Sequence, residues 1–184
     1  ISQMHISFEK WGLKKGDKVA LCSRNQASWG VCFLAAMTYG AVPVPLLHEF
    51  KPENIHYLVN HSEAKILFVD EFIWEGLSEQ EMPGVSVFLQ ISTLECLYAK
   101  DQSLRFTADE LQNEFNIKYP EGLKPEDISY VRDLPEDLAI INYTSGTSGF
   151  SKGVMIPYRA LLCNLRFATE VAEPQRSCES ELVA

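Results

Sequence analysis

Residues 16–46 read G-D-K-V-A-L-C-S-R-N-Q-A-S-W-G-V-C-F-L-A-A-M-T-Y-G-A-V-P-V-P-L, and the punctuation of this stretch decides the fold class. Gly16-Asp17 is a turn signal before the short apolar run 18–22. From 26 to 47 there is no charged residue, a length that hydropathy alone reads as a membrane span. The breakers exclude that reading. Asn25 suits a helix start, Gly40 suits the residue after a helix end, and Pro43 and Pro45 forbid continuation. The expectation is a buried helix of about four turns over 26–39, then a buried strand over 41–46.

The same alternation continues outward. Pro52 sits well at the first position of a helix that carries Ile55, Leu58 and Val59 on one face. The run K-I-L-F-V at 65–69 is uninterrupted by polar residues, as in a strand covered on both sides. A short helix near 72–80 and the turn Pro83-Gly84 lead to a strand over 85–89. Residues 91–135 are less regular, although Thr107 and Glu110 frame a capping box for a helix to about 117, and Pro125 opens a further turn. A strand over 138–143 and a helix over 157–172 follow. Upstream, Ile1, Met4, Phe8 and Trp11 form one helical stripe. Strands alternating with helices predict an α/β fold, a mainly parallel sheet with helices on both faces.

Composition narrows the function. The 184 residues are 46% hydrophobic and 22% charged, ordinary for a folded globular chain. Sixteen Lys and Arg against 25 Asp and Glu give a net charge of −9, which attracts neither nucleic acid nor an anionic membrane. Five cysteines (Cys22, Cys32, Cys96, Cys163, Cys178) form no C-x-x-C pair. Cys22 and Cys32, among apolar neighbours, are expected to be buried free thiols, and a reducing, cytoplasmic compartment is expected. The histidines His5, His48, His56 and His61 lack metal-ligand spacing, and no metal-binding residue is assigned. Trp11, Trp29 and Phe33 read as core, and Met4, Met37 and Met155 as packing. Glu79, Glu81 and the acids at 109–114 read as a solvated face. Asp70 and Glu71 stand at a strand end that could face a cleft, and no role is assigned to them.

Chemistry concentrates in one segment. Residues 139–157 read A-I-I-N-Y-T-S-G-T-S-G-F-S-K-G-V-M-I-P. A strand runs directly into Thr144-Ser145-Gly146-Thr147-Ser148-Gly149, with Lys152-Gly153 beyond. Two glycines let the backbone turn its N–H groups toward an anion, the hydroxyls add donors, and Lys152 brings a cation. Such a set suits a polyphosphate. It is not the P-loop, since Lys152 stands three residues after Gly149 and precedes Gly153. Nor is it G-x-G-x-x-G or the hydrolase elbow G-x-S-x-G. The plain alternative is a Ser/Thr/Gly turn. Eight specified positions coincide by chance with a probability on the order of 10⁻⁹ per window.

Residues 143–155, Y-T-S-G-T-S-G-F-S-K-G-V-M, resemble the ATP-binding signature of the adenylate-forming (AMP-binding) superfamily, in its acyl-CoA synthetase branch. G-L-K-K-G-D-K-V-A at 12–20, Asn25, Trp29, G-A-V-P-V-P at 40–45 and H-S-E-A-K-I-L-F-V-D-E at 61–71 extend the resemblance in order, over about 12–172. It departs from the usual pattern at Ser148, where threonine is commoner, at Ser151, a frequent proline, and at Tyr158, a frequent histidine.

The resemblance implies that Thr144, Ser145, Gly146, Thr147, Ser148, Gly149 and Lys152 hold the β- and γ-phosphates of ATP. Mg²⁺ would accompany the ATP, and a carboxylic acid and coenzyme A would be the other substrates. The implied reaction forms an acyl-adenylate and then a thioester, with a fatty acid as the favoured substrate. Localisation is expected to be cytoplasmic, peripheral to a membrane through the acyl substrate. No nucleic-acid partner and no transmembrane segment are expected. Residues 1–184 are expected to be part of an N-terminal AMP-binding domain, with its remainder and a mobile C-terminal domain absent. Such a fragment is expected to be inactive alone and prone to self-association. Three alternatives stay open: an adenylation domain loading a carrier-protein thiol, a serine hydrolase or amidase using Ser145 or Ser148 with Lys152, and a non-catalytic nucleotide-binding module.

Overall fold

The computed structural model describes residues 1–144 and 151–181. Residues 16–46 form the strand–helix–strand unit expected of them: β1 (Lys18–Cys22), α2 (Ala27–Tyr39) and β2 (Val42–Leu46), preceded by α1 (Ser2–Lys10). Gly40 ends α2 in the left-handed region at φ 85°, a conformation that glycine adopts without strain. At the other end the cap position falls on Gln26 rather than Asn25, with extended backbone and no side-chain cap bond. The uncharged run is therefore a 13-residue helix and a separate strand. Among the described residues no helix is long and apolar enough to cross a membrane.

The chain continues through α3 (Pro52–His61), β3 (Ala64–Val69), α4 (Glu71–Trp74), β4 (Val87–Gln90) and β5 (Cys96–Ala99). These strands make one sheet in the order β2-β1-β3-β4-β5, parallel except for the edge pair β4–β5. Strand alternation supplies two cores. Val19, Leu21, Ile66 and Phe68 face α1 and α2 with Phe8, Cys32 and Ala36. Ala20, Cys22, Leu67 and Val69 face α3 with Ile55, Leu58 and Val59. Helices thus cover both faces, as the apolar runs predicted.

Two expected boundaries move, and one strand is new. The helix expected over 72–80 is only α4, with a separate 3₁₀ turn at Glu79–Glu81. The strand expected from 85 starts at Val87, because the Val85 N–H is held in a turn by the Met82 carbonyl. In the irregular stretch, β5 is an unforeseen four-residue strand paired back on β4. The capping box is present: Thr107 accepts from the Glu110 N–H and Glu110 from the Thr107 N–H, opening α5 (Ala108–Lys118). Pro125 begins a 3₁₀ turn, as expected.

A larger correction concerns the strand before the glycine-rich segment. β6 (Leu138–Thr144) does not extend the parallel sheet; it pairs antiparallel with β7 (Lys152–Pro157) in a separate two-stranded sheet. The physical reason is connection length. Only residues 145–151 join the two strands, whereas a parallel crossover needs about a dozen residues or more. The hairpin packs beside β2, with Ile141 and Tyr143 entering the α3-side core next to Val44. α6 (Tyr158–Glu181) follows and runs past the expected end at 172. Two packing expectations also fail. Met155 is 71% exposed on the outer face of β7, and Val31 and Leu34 of α2 are exposed as well.

Candidate functional site

The hairpin β6–β7 presents the segment singled out in the sequence. Along β6, Ile141 and Tyr143 are buried while Asn142 and Thr144 are exposed. The register pairs Thr144 with Lys152 and Tyr143 with Gly153. Directly opposed residues of an antiparallel pair project to the same face, with Cβ atoms about 5 Å apart. The Thr144 hydroxyl and the Lys152 ammonium therefore share one exposed face, at the ends of the two strands nearest residues 145–151. The other candidate residues, Ser145, Gly146, Thr147, Ser148 and Gly149, lie outside the described residues.

Both ends of the hairpin are tied to the main fold. Near the loop, the Tyr143 hydroxyl is 2.7 Å from His61 Nδ1 at the end of α3, and the two rings meet edge-on with centroids 5.7 Å apart. Burial, with a smaller contribution from Tyr57, pushes the Tyr143 hydroxyl up to about 12, so it stays protonated. A Cβ at Gly153 would stand 3.1 Å from Tyr143 Cε1, so the ring lies where only glycine fits without displacement.

Far from the loop, Lys15 Nζ donates to Asp137 Oδ2 at 2.8 Å and to the Arg132 carbonyl at 3.0 Å, and pairs with Asp133 at 3.1 Å. The hydrogen bond with Asp137, then that with Asp133, raises the Lys15 ammonium above its ordinary value. The Lys15 bond, then the Leu134 N–H, lowers the Asp137 carboxyl. The strap before β6 also rests on α2. The Val131 N–H reaches the Thr38 carbonyl, and a Cβ on Gly40 would meet Val131 Cγ1 at 2.9 Å. The Tyr158 hydroxyl donates to the Met37 carbonyl at 3.3 Å, and burial raises it, with a smaller contribution from Asp133.

Lys15, His61 and Tyr143 were not singled out by the sequence reading as one supporting set. Their pairings span 82 to 122 residues, and no local pattern announces them. The cysteine reading stands where it can be described: Cys22 and Cys32 are buried free thiols, each pushed by burial up to about 12, while Cys163 is free and exposed.

A concavity of about 600 Å³ opens at the carboxyl ends of β1, β3 and β4, lined by Arg24, Gln26, His48, Asp70, Glu71 and Phe72. The Asp70 carboxylate accepts from the Arg24 N–H at 2.9 Å and from Gln26 Nε2 at 2.8 Å. Asp70 thus does face a cleft, but its oxygens are engaged in holding the β1–α2 connection. Connections leave β1 and β3 toward opposite faces here, the position at which open α/β sheets commonly receive ligands.

Residues 7–181 match the model of the family described as AMP-binding enzyme. The chain belongs to that family. Among curated relatives, fatty acyl-CoA synthetase A of Dictyostelium discoideum is 30% identical over 156 residues, covering 80% of this chain and 22% of its own length. Human long-chain-fatty-acid–CoA ligase 1 is 26% identical over 162 residues, covering 82% of this chain and 22% of its own. Among solved structures, ATP-bound MatB from Rhodopseudomonas palustris superposes with a TM-score of 0.64 at 25% identity, covering 88% of this chain and 29% of that one. The chain therefore spans about a fifth of the length of the curated relatives it matches. The match covers the glycine-rich segment and the upstream stretches together, which is the extent that the sequence resemblance required.

Proposed function

We propose that this chain is the ATP-phosphate-binding part of an AMP-forming acid–CoA ligase whose acid is a fatty acid. The observation that carries the reading is the pairing of Thr144 with Lys152 at the two ends of a Ser/Thr/Gly loop, on a hairpin anchored at both ends. Family membership and the fatty-acyl-CoA synthetase relatives support the reaction class.

In the proposed chemistry, a carboxylate oxygen attacks the α-phosphorus of ATP and pyrophosphate leaves. A thiol, that of coenzyme A, then attacks the acyl carbonyl and AMP leaves. Thr144, Ser145, Gly146, Thr147, Ser148, Gly149 and Lys152 would hold the β- and γ-phosphates. Backbone N–H groups and hydroxyls would orient the departing pyrophosphate while Lys152 neutralises part of its charge. Mg²⁺ would enter with ATP, since this ion is held largely through substrate phosphates and water. The rest of the reaction would depend on the greater part of the protein, consistent with the relatives' length.

The test is acid-dependent ATP–pyrophosphate exchange by the full-length protein with acids from acetate to palmitate, followed by mass detection of the thioester when coenzyme A is added. Exchange that needs a long-chain acid, and a palmitoyl thioester, are expected. Exchange with short acids only would overturn the fatty-acid assignment, and no exchange with any acid would overturn the ligase reading.

A further inference from the structure

We propose that His61 is a positioning residue for Thr144 and Lys152 of the phosphate-binding segment, acting through its hydrogen bond to Tyr143; this rests on the ATP-binding reading above.

His61 stands on firm ground. It closes α3, whose Ile55, Leu58 and Val59 are fully packed against the sheet. The next residue, Ser62, is buried, and its hydroxyl donates to the Val59 carbonyl at 2.9 Å. Glu63 then turns the chain at φ 58° directly into the interior strand β3. Tyr57, one turn earlier on α3, lies against the His61 ring at 5.6 Å. The backbone of His61 is thus set by both a helix and a strand of the main fold, while its exposed imidazole meets the rings of Tyr57 and Tyr143.

Tyr143 is the last inward-facing residue before the loop, and its ladder partner Gly153 is the first residue after Lys152. Beyond the burial of Tyr143 in the α3-side core, its phenol is held by the ring's contact with Gly153 and by the hydroxyl's bond to His61. Among the described residues, the main sheet and this hairpin share no strand ladder. The His61–Tyr143 bond is therefore a point fixation that carries the geometry of α3 to the residues flanking the loop. Preorganised donors stabilise an anion without reorganising when it arrives. Freeing the phenol end lets the Tyr143–Gly153 pair shift, and Thr144 and Lys152 shift with it. The cost falls on the polyphosphate and leaves the nucleoside end of the nucleotide untouched.

The experiment measures, on the full-length protein, KM for ATP in the exchange reaction and the inhibition constant of AMP. Wild type, His61→Phe, His61→Asn, Tyr143→Phe and the His61→Phe/Tyr143→Phe double variant are compared. Loss of one hydrogen bond predicts a rise in KM for ATP of about fivefold in His61→Phe and in Tyr143→Phe. AMP inhibition stays unchanged. The double variant is no worse than either single one. Asparagine places a polar atom near the position of Nδ1 and restores KM to within about twofold. An unmoved KM for ATP in both single variants, an equal weakening of AMP, or additive losses in the double variant would overturn the proposal. Absence of exchange in wild type would remove the ATP reading, and this inference with it. Wild-type exchange with unmoved variants would remove this inference alone.

Discussion

Gly153→Ala tests how closely the hairpin is built around Tyr143. The added methyl would stand 3.1 Å from Tyr143 Cε1 and 3.3 Å from both Tyr143 Cζ and Ile141 Cγ2. Optimal carbon contacts lie at about 3.5–4.0 Å, so the ring must retreat by a few tenths of an ångström. Neither neighbour yields freely: both are buried, and the phenol is tied to His61. Overpacking of this kind costs about 2 kcal/mol. Replacing glycine also restricts the unfolded chain, which returns about 0.7 kcal/mol. The expected net loss is about 1.3 kcal/mol, read by urea unfolding. Gly30→Ala is the matched control. A Cβ there meets nothing within 4 Å inside α2, so the same chemical change is expected to stabilise by up to about 1 kcal/mol. Two substitutions of the same sign, or a Gly153→Ala protein as stable as wild type, would refute the reasoning.

Three further outcomes follow from the same geometry. The Asp137 carboxyl, lowered by its bond to Lys15, is expected to titrate below the ordinary aspartate range and to return toward it in Lys15→Met. A carboxyl depressed by folding adds stability above its unfolded pKa and loses it as pH falls through the folded one. Carboxyl NMR titration checks this, and a midpoint that Lys15→Met leaves in place would contradict it. Iodoacetamide at pH 8, followed by peptide mapping, should label exposed Cys163 well before buried Cys22 and Cys32, whose thiols are pushed up to about 12. Equal labelling in the native state would contradict the burial. Thr107→Ala should speed amide exchange at Glu110 by about fivefold, because the hydroxyl that accepts that N–H is gone. Exchange rates in α3 should not change.

What the sequence made legible was local. Gly40 and the prolines after it separated α2 from β2 because each forbids helical continuation in its own way, and Thr107 with Glu110 marked the start of α5. The run at 65–69 announced an interior strand because both of its faces had to be apolar. The role of β6 was not legible. Its apolar alternation fits an antiparallel hairpin as well as a parallel strand, and only the short connection to β7 separates the two. β5 was too short to carry a periodicity. The loop residues were named from their chemistry, and the structure adds the pairing of Thr144 with Lys152 at the ends of the two strands nearest residues 145–151. Their supports were hidden for another reason: His61 meets Tyr143 across 82 residues, and Lys15 meets Asp137 across 122. Such meetings are properties of the assembled layers, not of any window of chain.

The measurement that bears most directly on the proposed phosphate loop is acid-dependent ATP–pyrophosphate exchange by full-length Lys152→Ala and Thr147→Ala proteins beside wild type. The account predicts that both variants lose at least tenfold in kcat/KM for ATP, about 1.4 kcal/mol of transition-state stabilisation, while remaining folded. Wild-type exchange that persists undiminished in both variants would contradict it.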